Sequence, residues 1–188
     1  IKDTIPPTFA AIGPKLFASS GLSVVYKFDP SGPNVDNIPA PVIQAADQIR
    51  NMILSKASDD EIHARIAELE TMEGILYPGV NNFRELSVDL VFQTILAVGS
   101  KSFSHILNAF ERYVKLLRDM AADAFDRNLA ITSIVQFSTG NTQLLEIFID
   151  KLLIYRVLDT KSVIEWVLKG SLKDKGYSYE SRWVILAS

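Results

Sequence analysis

Few residues in this chain have side chains suited to chemistry. There are two histidines, His63 and His105, and no cysteine. His105 stands beside Ser102 and Ser104, the residue types of an activated hydroxyl nucleophile, but such a pair needs a third group to orient the base. No carboxylate lies in sequence reach to do that, and at helical spacing these side chains do not oppose one another usefully. The expectation is helix-start serines next to a half-exposed imidazole. Asp59, Asp60 and Glu61 form an acidic run that could contribute to a metal site. They also fall in the first turn of a predicted helix, where carboxylates favour the positive end of the dipole, and that structural role is the expected one. No Gly-rich phosphate loop follows a strand pattern, and no His-Glu-x-x-His spacing occurs. Catalytic, cofactor-binding and metal residues are therefore expected to be none. What remains is a cationic strip, Arg112, Lys115 and Arg118 with Lys101 nearby, interleaved with Glu111 and Asp119. It reads as a solvated face or as a surface for an acidic partner. Trp166 and Trp183 are possible interface anchors, with Trp166 expected in the core because its run is apolar.

The elements that position these groups follow a helical period. Asn82 to Ala121 reads as two antiparallel helices turning at Gly99–Ser100. The first arm, Phe83 to Val98, opens on Asn82-x-x-Glu85, a variant capping box. Leu86, Val88, Leu90, Val91, Phe92, Ile95, Leu96 and Val98 then leave it no wide polar face, so it is expected to be central. Gly99 is expected to stop it through a positive φ. The second arm, Ser102 to Ala121, is predicted as one amphipathic helix with Phe103, Ile106, Phe110, Tyr113 and Leu117 inward and the cationic strip outward.

Before this hairpin, Val42, Ala45, Ile49 and Ile53 mark a helix from Pro41 to about Lys56. Ser58-x-x-Glu61 then caps a second through Ile62, Ile66 and Leu69. After it, a helix over Ala122–Ser138 carries Phe125, Leu129, Ile131, Ile134, Val135 and Phe137. Another, over Gln143–Tyr155, carries Leu144, Phe148, Leu152 and Ile154. Asp159 or Thr160 caps a helix to Lys169 whose core is given to Val163, Ile164, Trp166, Val167 and Leu168, and a last helix is expected over Ser178–Ala187. Residues 1–40 are too rich in proline and glycine for a long helix and read as an irregular arm laid over the helical body. The predicted fold is all-α: stacked antiparallel helix hairpins forming a HEAT-like superhelix over 41–188, with the arm at 1–40.

With 48% hydrophobic residues in 188, the chain can bury one sizeable core. It starts at Ile1 and stops after the apolar run Trp183–Ala187, and reads as a piece of a larger polypeptide. A net charge of −3 argues against tight direct RNA binding, which needs a concentrated basic face. No apolar run approaches the ~18 residues that cross a bilayer, and the N-terminus lacks signal-peptide order. A soluble intracellular protein without a membrane partner is expected.

The tract Lys101-Ser102-Phe103-Ser104-His105, arriving after the helix Val88–Val98, resembles the corresponding tract in large subunits of the nuclear cap-binding complex. So does Leu152-Leu153-Ile154-Tyr155-Arg156-Val157-Leu158, followed by Ser162-Val163-Ile164-Glu165-Trp166-Val167. The Pro41–Leu69 helix pair fits the same region in order. The resemblance spans roughly Tyr26 to Ala187, is nearest to fungal-type versions, and leaves Ile1–Ser20 uncovered. It implies the third helical repeat domain of that subunit, similar to the middle domain of eukaryotic initiation factor 4 gamma. It further implies a non-catalytic scaffold that supports a small RNA-recognition-motif cap-binding subunit and recruits mRNA processing and export proteins. The implied location is the nucleus, with shuttling to the cytoplasm. No cap-stacking residue is carried over. Two other readings stay open: a helical enzyme or ligand-binding domain with a site between hairpins, and a translation or RNA-decay scaffold of the same fold. A deep polar pocket converging on His105 or on Asp59–Glu61 would favour the enzyme.

Overall fold

The structure, a computed structural model, describes residues 24–33 and 35–169. In chain order its helices are α1 (Ala40–Leu54), α2 (Asp59–Glu70), α3 (Phe83–Gly99), α4 (Phe103–Arg112), α5 (Val114–Met120), α6 (Ala124–Phe137), α7 (Thr142–Ile154) and α8 (Thr160–Lys169), with no strand among the described residues. They stack as antiparallel hairpins, α1 with α2, α3 with α4 and α5, and α6 with α7, while α8 returns onto α6.

α3 has no face to spare for solvent. Leu86, Val88, Leu90, Val91, Phe92, Ile95 and Leu96 are buried, and so are the polar Ser87, Gln93 and Thr94. Helices α1, α4, α5 and α6 all pack on it, which is how a helix apolar on every side must be satisfied. Beyond it Phe110, Phe137 and Phe148 form an aromatic layer, with Phe110 and Phe148 edge to face at 6.0 Å between centroids. Trp166 is buried, as its apolar run predicts, and its indole N–H donates to Thr132 at 2.9 Å.

Gly99 works differently from the expectation. It belongs to α3, and Ser100 caps the helix with an ordinary φ of −64°. What the glycine supplies is room, because a Cβ there would lie 3.0 Å from both Cα and Cγ1 of Ile106 on α4. The predicted single helix over Ser102–Ala121 is also corrected. It breaks at Tyr113, where φ is −106° and ψ 23°. Tyr113 is buried, and its hydroxyl donates to the Ala57 carbonyl at 3.1 Å, just past the end of α1. Its hydroxyl thus ties the break to the hairpin of α1 and α2.

Capping follows the sequence closely. Ser58 and Glu61 form the full reciprocal box, with Glu61 N–H donating to Ser58 Oγ and Ser58 N–H to the Glu61 carboxylate at 2.7 Å. The Ser58 N–H holds that carboxylate below its usual range, so the acidic run serves the start of the helix. Asn82 accepts from Glu85 N–H at 2.9 Å, but the return bond lands one residue further out, from Asn81 N–H at 3.0 Å. Asp123, Asn141 and Asp159 cap α6, α7 and α8 in the same manner.

Four apolar residues assigned to the core face outward: Phe125, Ile154, Ile164 and Leu168, at 48%, 60%, 41% and 72% exposure. Phe125 opens α6, with the Arg84 guanidinium 5.2 Å from its ring centroid. Ile164 and Leu168 share the flank of α8 opposite Val163, Trp166 and Val167, which meet the rest of the core. An apolar pattern that runs round a helix does not say which flank lacks a neighbour.

The described part of the arm lies over α3 and α6. Val25 N–H donates to the Phe137 carbonyl at 3.0 Å, and Lys27 N–H to the buried Gln93 side chain at 3.2 Å, which in turn donates to the Ser133 carbonyl at 2.9 Å. Phe28 is fully buried. The Lys27 ammonium pairs with Asp89, whose other oxygen accepts from Ser133 at 2.6 Å. Residues 1–23, the helix expected over Ser178–Ala187 with Trp183, and the side chain of Phe103 lie outside what the structure describes.

Two expectations follow. Gly99→Ala should lower stability by about 1–3 kcal/mol, the usual cost of forcing a group into a packed interface, read as a shift of the urea midpoint. Burial alone would pull the Lys27 ammonium down, but the Asp89 carboxylate pushes it up to about 12 from 10.5. The folded value lies above the unfolded one. The contribution of the pair is therefore complete below about pH 10.5 and is lost as pH rises through about 12. The stability difference between the wild type and Lys27→Met should hold steady to pH 10 and shrink above it.

Candidate partner surface

The cationic strip lies on α4 and α5, where the amphipathic pattern puts it. Arg112, Lys115 and Arg118 are all exposed. The structure adds an internal task for two of them. Arg112 donates to the Lys56 carbonyl at 2.7 Å, at the end of α1, and Arg118 donates through Nε and Nη2 to the Tyr155 carbonyl at 3.0 and 2.5 Å, at the end of α7. One element thus seals the ends of helices in the hairpins on both sides.

Those two ends are built alike. After α1, Lys56 takes φ 64°, with Lys56 N–H bonded to the Ile53 carbonyl and Ala57 N–H to that of Met52. After α7, Arg156 takes φ 55°, with Arg156 N–H bonded to the Leu153 carbonyl and Val157 N–H to that of Leu152. Both are Schellman motifs, in which a left-handed residue redirects the last carbonyls. Glycine is the usual occupant, and here two long cations hold the position. The arginine bonds from α4 and α5 satisfy the carbonyl oxygens that these turns leave facing outward.

Around the strip, the Tyr155 hydroxyl donates to Glu111 at 3.0 Å, and His63 on α2 lies 3.5 Å from Asp119. Lys115 has no ion pair among the described residues and stands between the two arginines, so of these three cations it is the one left to another molecule. The Ser102 hydroxyl and His105 Nδ1 lie 2.5 Å apart. That is closer than the sequence spacing suggested, because Ser102 caps α4 and also receives His105 N–H at 3.2 Å. The contact belongs to the helix start, and no carboxylate orients the ring among the described residues. Asp59, Asp60 and Glu61 occupy the first turn of α2. A cleft of about 220 Å³ lies between the arm and α1, lined in part by Tyr26, Asp29, Asp47 and Arg50, and neither His105 nor the acidic run borders it.

Residue patterns missed three polar clusters that fix the hairpins. Lys27 with Asp89 fastens the arm. Arg84 pairs with Asp123 and with Asp126 at 2.5 Å, joining the starts of α3 and α6. Arg127 bridges to Asp159 at 2.8 Å and Ser162 at 3.1 Å, joining α6 to α8. The Asp123 carboxyl is held below its usual range by the Asp126 backbone N–H and then by Arg84. Each cluster joins residues far apart in the chain, so only the caps within them left a local signal.

Arg118→Met should lower stability by about 1–2 kcal/mol, since it strips charge-assisted bonds from helix-end carbonyls. Lys115→Glu should stay within about 0.5 kcal/mol, as exposed substitutions do. Lys56→Gly and Arg156→Gly should each raise stability by about 1 kcal/mol, by removing left-handed strain on a side chain. Thermal melts of the four variants test all of these.

Comparison with known proteins now fixes the family. A family model described as MIF4G like matches residues 26–187. Curated relatives include nuclear cap-binding protein subunit 1 of Schizosaccharomyces pombe, 28% identical over 80% of this chain and 18% of that protein. The Arabidopsis thaliana protein of the same name is 26% identical over 68% of this chain and 16% of its own length. The human one is 22% identical over the whole chain and 23% of its own length. The chain thus spans about a fifth of the length of these relatives. With a matched region that leaves out only residues 1–25 and the final serine, the chain belongs to the MIF4G-like family.

Proposed function

We propose that this chain is a non-catalytic helical scaffold of a nuclear cap-binding complex, a 41–188 helical domain carrying a 1–40 arm. Its role is to support the small RNA-recognition-motif subunit and to present surfaces to mRNA processing and export proteins, in the nucleus and with shuttling to the cytoplasm. The observation that carries the reading is the family match over 26–187, joined to relatives that share one printed name. The residues are consistent with it, because Lys27, Arg84, Arg112, Arg118 and Arg127 are engaged at helix ends and between helices. Lys115, flanked by Arg112 and Arg118, is the proposed rim for an acidic partner surface.

The test is co-purification of the chain with the small subunit, together with binding of capped and uncapped RNA. Association with the subunit is expected, weakened by Lys115→Glu chiefly through slower encounter at low salt. Binding to RNA by the chain alone should be weak, given its net charge of −3. Failure to associate at any salt concentration would overturn the scaffold reading. So would submicromolar RNA binding with a steep salt dependence, which reports displaced phosphate counterions.

A further inference from the structure

The loop from 71 to 82, between α2 and α3, carries an apolar surface that the fold does not use. Met72 and Leu76 are 42% and 46% exposed. They border an open cleft of about 350 Å³ with Ile75, Phe83 and Glu70, a volume at the lower end of what ligand pockets enclose. Leu76 is held outward by its neighbours: Ile75 and Tyr77 are buried on either side of it, and Val80 is buried further on. In an extended stretch, alternate side chains point to opposite sides, so two inward anchors present the residue between them. The turns that shape the loop use Gly74 at φ 69° and Gly79 at φ 93°.

The loop and the end of α2 before it carry charge of one sign, with Arg65 and Arg84 on either side engaged in ion pairs. From Ile66 to Phe83 the sequence contains Glu68, Glu70 and Glu73 and no lysine or arginine. Glu68 pairs with Arg65 at 3.4 Å, whereas Glu70 and Glu73 are exposed and form no ion pair among the described residues. An exposed apolar group with an acidic border favours a ligand that brings an apolar side chain together with cations. A second copy of the chain would bring the same acidic border, which disfavours self-association through this face.

We infer that the 71–82 loop is a docking site for a partner segment in which a leucine- or phenylalanine-like side chain is flanked by lysine or arginine. The apolar side chain enters the cleft beside Met72 and Leu76, and the cations face Glu70 and Glu73. The inference deepens the scaffold reading and rests on it. It assigns to this face a partner opposite in charge to the one proposed for the Lys115 rim.

The experiment is an NMR titration of the whole chain with two synthetic peptides that share a central Leu-Phe pair, one flanked by arginines and the other by glutamates. Saturable shifts confined to residues 71–83, with the arginine peptide only, are expected. Leu76→Ser and the pair Glu70→Gln with Glu73→Gln should each weaken binding about tenfold, as the loss of one apolar or charged contact does. Equal binding of the two peptides, shifts spread over other surfaces, or affinity unchanged by Leu76→Ser would overturn the docking site. So would concentration-dependent self-association that Leu76→Ser abolishes. Both variants alter exposed side chains, and a thermal melt confirms that they fold. Co-purification of the wild type with the small subunit decides the scaffold reading separately, so the two failures are distinguishable.

Discussion

A helix without a polar face cannot end at the surface of a domain, because every side of it must be covered. α3 imposes that requirement here, and the rest of the chain arranges itself to meet it, with α1, α4, α5 and α6 around its flanks and the arm over what remains. Three polar residues, Ser87, Gln93 and Thr94, are buried with it. An unpaired buried amide would cost about 1–3 kcal/mol, and Gln93 avoids it by accepting from the Lys27 backbone and donating to the Ser133 carbonyl. The arm is thus part of how α3 is satisfied, although its sequence has no helical period. The same burial explains Gly99, since the close approach of α4 to the end of α3 leaves no room for a side chain.

Hairpins stacked around one helix still have to be fixed relative to each other, and apolar packing alone tolerates sliding. The bonds from Arg112 and Arg118 to the ends of α1 and α7 supply direction, because a guanidinium on a helix-end carbonyl is satisfied in only a narrow range of positions. Tyr113 adds a buried tie from the same element to the end of α1. The second arm breaks at Tyr113 itself, the residue that makes this tie. Surface cations and hairpin geometry are therefore coupled. Molecules that draw on Arg112 or Arg118 compete with bonds that hold the stack, while those that meet Lys115 do not.

The hairpins, the Ser58 box and the central place of α3 were legible in the sequence, because each depends on residues within a few positions of one another. The bonding partners of Tyr113, Arg118 and Lys27 were not. Arg118 meets Tyr155 across 37 residues and Lys27 meets Asp89 across 62, and no local pattern encodes which carbonyl or carboxylate will arrive there. Phe125, Ile154, Ile164 and Leu168 show the converse: periodicity reports that a residue is apolar, not that a neighbour exists to cover it. The Ser102–His105 contact was underestimated for a related reason, since a helix-capping side chain folds back over the first turn and shortens distances that ideal helical spacing makes long.

The candidate surface was the least legible feature because a scaffold's function leaves little mark on single residues. Catalysis requires groups brought within bonding distance and shifted in acidity, and the shifted groups here each have a structural cause, in a cap for Glu61 and Asp123 and in the arm pair for Lys27. Recognition requires only that a surface be held in shape and left uncovered. The two proposed surfaces differ in how they are held. The Lys115 rim stands on a helix flanked by the bonds of Arg112 and Arg118, whereas the Met72–Leu76 face stands on a loop anchored by alternating buried residues. A rim of long charged side chains steers encounter and is screened by salt, while an apolar cleft gains its affinity from desolvation once contact is made. Opposite charge at the two sites means that a single partner surface of one sign cannot satisfy both. The two proposed surfaces therefore call for partners of opposite charge.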